Sequence, residues 1–144
     1  MKVELTKTIA RNFSLFKHVP FLPNIIDEQL KVYTLLFRPI VFAKMILFVS
    51  HLKALENVQV AYHKFGGLEF RIFDKEFCHI HGDGLVDIRV NKEISSDLIE
   101  RSIAEPHHVN PKTSWISFPI KSDTELEHLL KIVKLAYNLR SKDK

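Results

Sequence analysis

Leu68-Glu69-Phe70-Arg71-Ile72-Phe73-Asp74-Lys75-Glu76-Phe77-Cys78-His79-Ile80-His81-Gly82-Asp83-Gly84-Leu85-Val86-Asp87-Ile88-Arg89-Val90 decides the fold. Leu68, Phe70 and Ile72 alternate with Glu69, Arg71 and Phe73, which is the period of a strand with one apolar side. Asp74-Lys75 reads as a turn. Cys78 and Ile80 then alternate with Phe77, His79 and His81. Gly82-Asp83-Gly84 turns again, and Val86, Ile88 and Val90 alternate with Leu85, Asp87 and Arg89. Upstream, Val58, Val60 and Tyr62 alternate with Gln59, Ala61 and His63 before Gly66-Gly67. Four strands joined by short turns predict an antiparallel meander.

Beyond the meander, Asn91 is placed to cap a helix over 92–103, with Ile94 and Leu98 on one face. A loop carrying Pro106, His107, His108 and Pro111 follows. A fifth strand over 114–120 alternates Trp115 and Ser117 with Ile116, Phe118 and Ile120. Ser122-x-x-Glu125 reads as a capping box. The last helix carries an apolar stripe of Leu126, Leu129, Leu130, Val133 and Tyr137.

Residues 1–55 read as helical, broken at Pro20, Pro23 and Pro39, each of which lacks a backbone donor. Asn24 or Asp27 is placed to cap a helix starting near Ile25. A second helix is expected over 41–55, apolar nearly all round and therefore buried by the rest of the chain. The expectation is one α+β domain over 1–144, with a helical extension at 1–55 and a core at 56–140. An antiparallel sheet of about five strands carries C-terminal helices on one face beside an N-terminal helical layer.

Composition bounds the function classes. With 144 residues, 46% apolar and 26% charged, the chain is of ordinary globular make-up. The net charge of +4 is uneven, since residues 1–55 hold eight Lys/Arg against three acids. That excess supports one reading, a nucleic-acid or anionic-surface binder through the basic N-terminal third, although no basic run of the nucleic-acid type exists and nucleic acid is the less expected partner. Cys78 is the one cysteine, which excludes an internal disulfide and fits a cytoplasmic home. Its alternation faces it to the core as an inert thiol. No secretory signal is expected after Met1. Tyr33 to Leu52 is strongly apolar, but Arg38, Pro39 and Lys44 interrupt it, so no membrane span is expected.

The polar sides of the strands collect His63, Glu69, Arg71, His79, His81, Asp87, Arg89, Trp115 and Ser117. If the strands are neighbours, these share one sheet face. The candidate ligand-binding residues are His79, His81, Asp83, Asp87, His107, His108 and Trp115. Two further readings rest on this face. In the first, the face binds a small molecule or a protein, with the His107-His108 loop at its rim. In the second, His79, His81, His107 and His108 hold a divalent transition metal for an enzyme, with Asp83 or Asp87 as ligand or base. No cofactor is otherwise expected, because no Gly-x-Gly-x-x-Gly, Walker loop or Gly-x-Ser-x-Gly elbow occurs. The helical N-terminal third offers a cover or a homodimer surface.

Gly66-Gly67-x-Glu69-Phe70, Glu76-Phe77-x-His79-x-His81-Gly82-Asp83-Gly84, Asp87, Glu105-Pro106-His107-His108, Pro111, Trp115-Ile116-Ser117-Phe118 and Tyr137 follow one another in an order and spacing that resembles the luciferase-domain family. The resemblance covers about Phe65 to Tyr137. Members often carry glycine before the tryptophan and before the first histidine, where Ser114 and Cys78 stand here. The family label implies no established activity, and no flavin or luciferin motif is visible. The order of elements is also similar to that of MmcQ/YjbR proteins, whose α+β core is frataxin-like. Such fold-level likeness assigns no function.

Overall fold

The computed structural model describes residues 19–142. The earlier part of the expected helical extension lies outside them. Helix α1 (Leu22–Phe37) and helix α2 (Pro39–Lys53) lead into strands β1 (Val58–Tyr62), β2 (Leu68–Ile72), β3 (Lys75–Ile80) and β4 (Leu85–Arg89). Helix α3 (Lys92–Glu100), strands β5 (Glu105–Pro106) and β6 (Trp115–Pro119), and helix α4 (Leu126–Ser141) complete the chain. The six strands form one antiparallel sheet in the order β1-β2-β3-β4-β6-β5. The fold is thus the expected α+β class. The added strand, β5, is a two-residue pairing inside the expected loop, too short to leave a periodic signal.

The sheet buries one apolar face under α2 and α4. Phe70, Ile72, Phe77, Cys78, Val86, Ile88 and Ile116 meet Val41, Met45, Phe48 and Leu52 of α2 and Leu129, Val133 and Ala136 of α4 in one cluster. The outward side of α2 differs from the expected all-round burial. Ile40, Ile46 and Leu47 are exposed, and no described residue covers them. Arg38 and Lys44 face away from that side, donating to the backbone carbonyls of Asp83 and Ile120 and of Ser122 and Thr124. Among the described residues, no helix is long and apolar enough to cross a membrane.

Helix α1 starts earlier than expected, with Pro23 in its first turn and Phe21 in the left-handed region at φ 67°. Neither Asn24 nor Asp27 caps it. The first turn tolerates proline because its N–H has no helical partner. α1 lies against two of the sheet's tight turns, those at Gly66-Gly67 and Gly82-Asp83-Gly84. A Cβ on Gly66 would stand 2.6 Å from the Pro23 carbonyl oxygen, and one on Gly82 would stand 2.2 Å from that of Asp27. Glycine is needed there for close approach. Asp27 Oδ1 accepts the Gly82 N–H at 2.7 Å, and Thr34 Oγ1 lies 2.8 Å from the Gly82 oxygen. These bonds clamp α1 onto the turn that follows His81.

Two local expectations change. Asn91 does cap α3, accepting from the Ile94 N–H at 2.8 Å. However, α3 stops at Glu100, where Ser102 turns left-handed at φ 55° and the Ile103 N–H returns to the Leu98 oxygen. That is a Schellman ending. The Ser122-x-x-Glu125 capping box does not form. Glu125 is itself the residue before the helix, and Thr124 Oγ1 instead accepts the Lys121 N–H in the preceding turn.

Candidate functional site

The register of the sheet lines up one polar row. Glu69 pairs with His79, His79 with Asp87, Asp87 with Ser117, and Ser117 with Glu105. Directly opposed residues share a face, so the row crosses five strands on the side away from α2 and α4. Glu76 joins that face through an irregularity. Strict alternation from His79 would send Glu76 to the core and Phe77 to the polar side. Instead the register shifts at Phe70/Arg71, with Phe70 opposite Cys78 and Arg71 opposite Glu76. This bulge turns both Phe77 and Cys78 into the core and leaves Glu76 beside His79.

Asp87 is the centre. It is fully buried at 0% exposure. The Ser117 hydroxyl donates to its Oδ1. Its Oδ2 faces four imidazoles: His79 Nε2 at 2.9 Å, His81 Nε2 at 3.6 Å, His108 Nδ1 at 3.6 Å and His107 Nε2 at 3.7 Å. The last three distances exceed hydrogen-bond length. Accordingly His81 Nε2 and His108 Nδ1 are buried without a hydrogen-bond partner, and Asp87 Oδ2 has only His79 at hydrogen-bond distance.

The outer nitrogens are also placed. His79 Nδ1 is hydrogen-bonded to Glu76 Oε1 at 2.6 Å, and His81 Nδ1 lies 3.6 Å from Asp27 Oδ1. The backbone N–H groups of Val109 and Asn110 donate to His107 Nδ1 at 3.3 and 3.2 Å. The Phe65 N–H donates to His63 Nδ1, and the His63 ring stacks on His79 with centroids 4.0 Å apart. Trp115 stands beside both His79 and His107, with centroids 5.3 and 6.1 Å away.

Burial and charge sort these groups. Burial opposes charge on His81, but Asp27 and Asp87 at its two nitrogens outweigh it and raise its pKa to about 10. Burial likewise opposes charge on His79, and Asp87 with Glu76 overcomes it, so that pKa is also raised. Asp87 is held well below the ordinary carboxylate range, because the surrounding imidazoles outweigh its own desolvation. Burial, together with His79 and His81, lowers His63 to about 2. Burial is also the main cause that lowers His107 to about 4. Burial pushes the Cys78 thiol up, on the opposite side of the sheet.

Above the cluster lies a cavity of about 360 Å³. His63, His79, His81, His107 and His108 line its polar part, and Pro23, Ile26, Leu30, Phe65, Val109 and Trp115 its apolar walls. The structure therefore brings together His79, His81, Asp87, His107, His108 and Trp115. It places Asp83 elsewhere: Asp83 Oδ1 accepts the Leu85 N–H in the turn, and its main-chain oxygen accepts from Arg38. Four further neighbours, Asp27, His63, Glu76 and Ser117, complete the site beyond the residues the sequence nominates. Alternation marks His63 and Ser117 as face residues, while the sequence around Asp27 suggests a helix cap.

The geometry defines an α+β chain with a buried imidazole–carboxylate centre under a small cavity. Residues 74–136 match the family model described as Luciferase domain. That span holds His79, His81, Asp87, His107, His108, Trp115 and Ser117, while Asp27 and His63 lie before it. No curated protein and no solved structure matches the chain.

Proposed function

We propose that the chain is a small-molecule binding domain whose ligand enters the cavity over Asp87. The supporting observation is the cavity itself: apolar walls from α1, Phe65, Val109 and Trp115 above a floor of imidazoles. Convergent polar groups at the base of an apolar pocket suit recognition of one polar head on an apolar body. The walls would supply burial, and the ring N–H groups would supply direction. His107 suits the role of contact to the ligand head. It is more exposed than His79 or His81, and burial keeps it neutral near pH 7.

A second reading, a metal-dependent enzyme, is favoured by the orphaned nitrogens His81 Nε2 and His108 Nδ1, which both face Asp87 Oδ2. Capture of a small molecule by the cavity does not require the ion.

Trp115 is the single tryptophan of the chain, so one indole N–H signal reports on the cavity wall. A fragment screen by nuclear magnetic resonance on isotope-labelled, chelator-treated protein tests the proposal. Fragments with an aromatic or aliphatic body and one carboxylate or amide head should shift the Trp115 indole signal together with His107 and Val109. Filling the cavity with Ile26→Phe should remove those shifts while the apolar core signals stay in place. Hits that ignore Trp115, or that survive Ile26→Phe unchanged, would overturn the reading.

A further inference from the structure

We infer that His81, His108 and Asp87 form a binding site for one divalent first-row transition ion, with its open positions toward the cavity. This goes beyond the small-molecule reading and does not depend on it.

Three observations carry the inference. The first is the orphaned set. His81 Nε2 and His108 Nδ1 are buried nitrogens with no hydrogen-bond partner, on side chains 5% and 6% exposed, and both face Asp87 Oδ2, which has only His79 at hydrogen-bond distance. Buried polar groups left unsatisfied are costly and rare, so two such nitrogens converging on one carboxylate oxygen need an explanation. A cation between them engages both nitrogens and a remaining lone pair of Asp87 Oδ2.

The second observation is spacing. These three atoms lie within 4.8 Å of one another, and Asp87 Oδ2 is 3.6 Å from each nitrogen. Two ligands about 2.0–2.1 Å from a tetrahedral ion stand about 3.4 Å apart. The two oxygen–nitrogen separations are too long for hydrogen bonds and close to the edge of that polyhedron, and the nitrogens, within 4.8 Å of each other, would draw together around an ion.

The third is the outer layer. Asp87 Oδ1 takes the Ser117 hydroxyl, which leaves Oδ2 turned inward. His81 directs Nδ1 toward Asp27 and Nε2 toward Asp87. A carboxylate behind a metal-binding imidazole fixes the ring and its tautomer. The same reasoning narrows the four histidines that the sequence offered. His107 Nδ1 accepts two backbone N–H groups, so its proton belongs on Nε2, the nitrogen facing Asp87. His79 has a carboxylate oxygen within 2.9 Å of each nitrogen, so neither lone pair is free for an ion. In this arrangement His79 is the positioning residue that holds Asp87, and His107 stays outside the ligand set.

The donor set names the class of ion. Two imidazoles and one carboxylate suit Zn²⁺, Fe²⁺ or Co²⁺, and three protein ligands leave positions for water or a ligand. The soft ligand is excluded, because Cys78 is buried on the other side of the sheet.

The test uses the full chain, stripped with a chelator and titrated with Co²⁺ by visible absorption and with Zn²⁺ by indicator competition. Wild type should take up one equivalent and gain thermal stability. His108 lies on a loop outside the strands, so His108→Gln should keep the fold, checked by circular dichroism, yet weaken binding by about 100-fold. Asp87→Asn should do the same, and where it fails to fold His108→Gln decides. His107→Gln should weaken binding far less than His108→Gln, a contrast that a general loss of structure would not produce. His128→Gln, on the exposed face of α4, should change nothing. Uptake below about a tenth of an equivalent would overturn the inference, as would uptake that His108→Gln leaves intact; a site of ordinary structural affinity would retain far more. Fragment binding by the metal-free protein would survive that failure.

Discussion

Asp87 shows how one residue can organise a site by having too few partners of its own. Its carboxylate is anchored on one oxygen by Ser117 and surrounded on the other by four rings. Ser117→Ala should therefore act through Asp87. Losing a donor to a buried charged acceptor should cost about 1–3 kcal/mol, read as a lower urea midpoint at unchanged slope. The same variant should weaken metal uptake by about tenfold or more, because Oδ2 is no longer held inward. A stable variant with full affinity would show that the Ser117 contact is incidental. Ser117→Thr keeps the hydroxyl and should recover most of both losses.

At the scale of elements, the hairpins carry the precision. Ile72 pairs with Lys75 across a two-residue loop, and Phe73 and Asp74 both sit at positive φ, 49° and 60°. That is a type I′ turn, which favours Asn-Gly. Phe73→Asn with Asp74→Gly should raise stability by about 1 kcal/mol or somewhat more, since a left-handed non-glycine residue costs about that much. The thermal midpoint should rise by roughly 2–4 °C. No gain would mean that contacts of the Phe73 side chain offset the relieved backbone. This region also shows where sequence reading ends. Alternation from His79 to Asp87 and from Trp115 to Ser117 was legible, because period two is the geometry of the strand. The bulge was not, although the adjacent apolar pair Phe77-Cys78 is its trace: both side chains face the core, which uninterrupted alternation forbids. Glu76 reached the site through that irregularity. Asp27 reached it through the docking of α1 on Gly82, a contact between positions 55 residues apart that no local pattern encodes. What could have marked Asp27 was its place on one helical face with Leu30 and Thr34, all buried.

For the whole molecule, the site imposes a pH dependence that the surface charges would not. In chelator-treated protein, His81 and His79 have folded pKa values above the unfolded value of about 6.5. A raised histidine stabilises the fold fully below that unfolded value. Its contribution is lost as pH climbs through the folded value, about 10 for His81. His63 and His107 run the other way, lowered to about 2 and about 4. They cost nothing above the unfolded value. As pH falls below it, the unfolded chain takes up protons that the folded chain refuses, so stability declines toward the folded values. Asp87 adds a further loss at lower pH, because its carboxyl is held well below the ordinary range. The two limbs meet near pH 6.5. Urea midpoints measured with chelator at pH 5, 6.5 and 9 should therefore peak at the middle value, and a steady rise from pH 5 to 9 would contradict the assignment. A bound ion takes the place of the proton on His81, so saturating Zn²⁺ should remove the alkaline decline that His81 produces. The acid decline should become steeper, because protons then compete with the metal for its imidazole ligands.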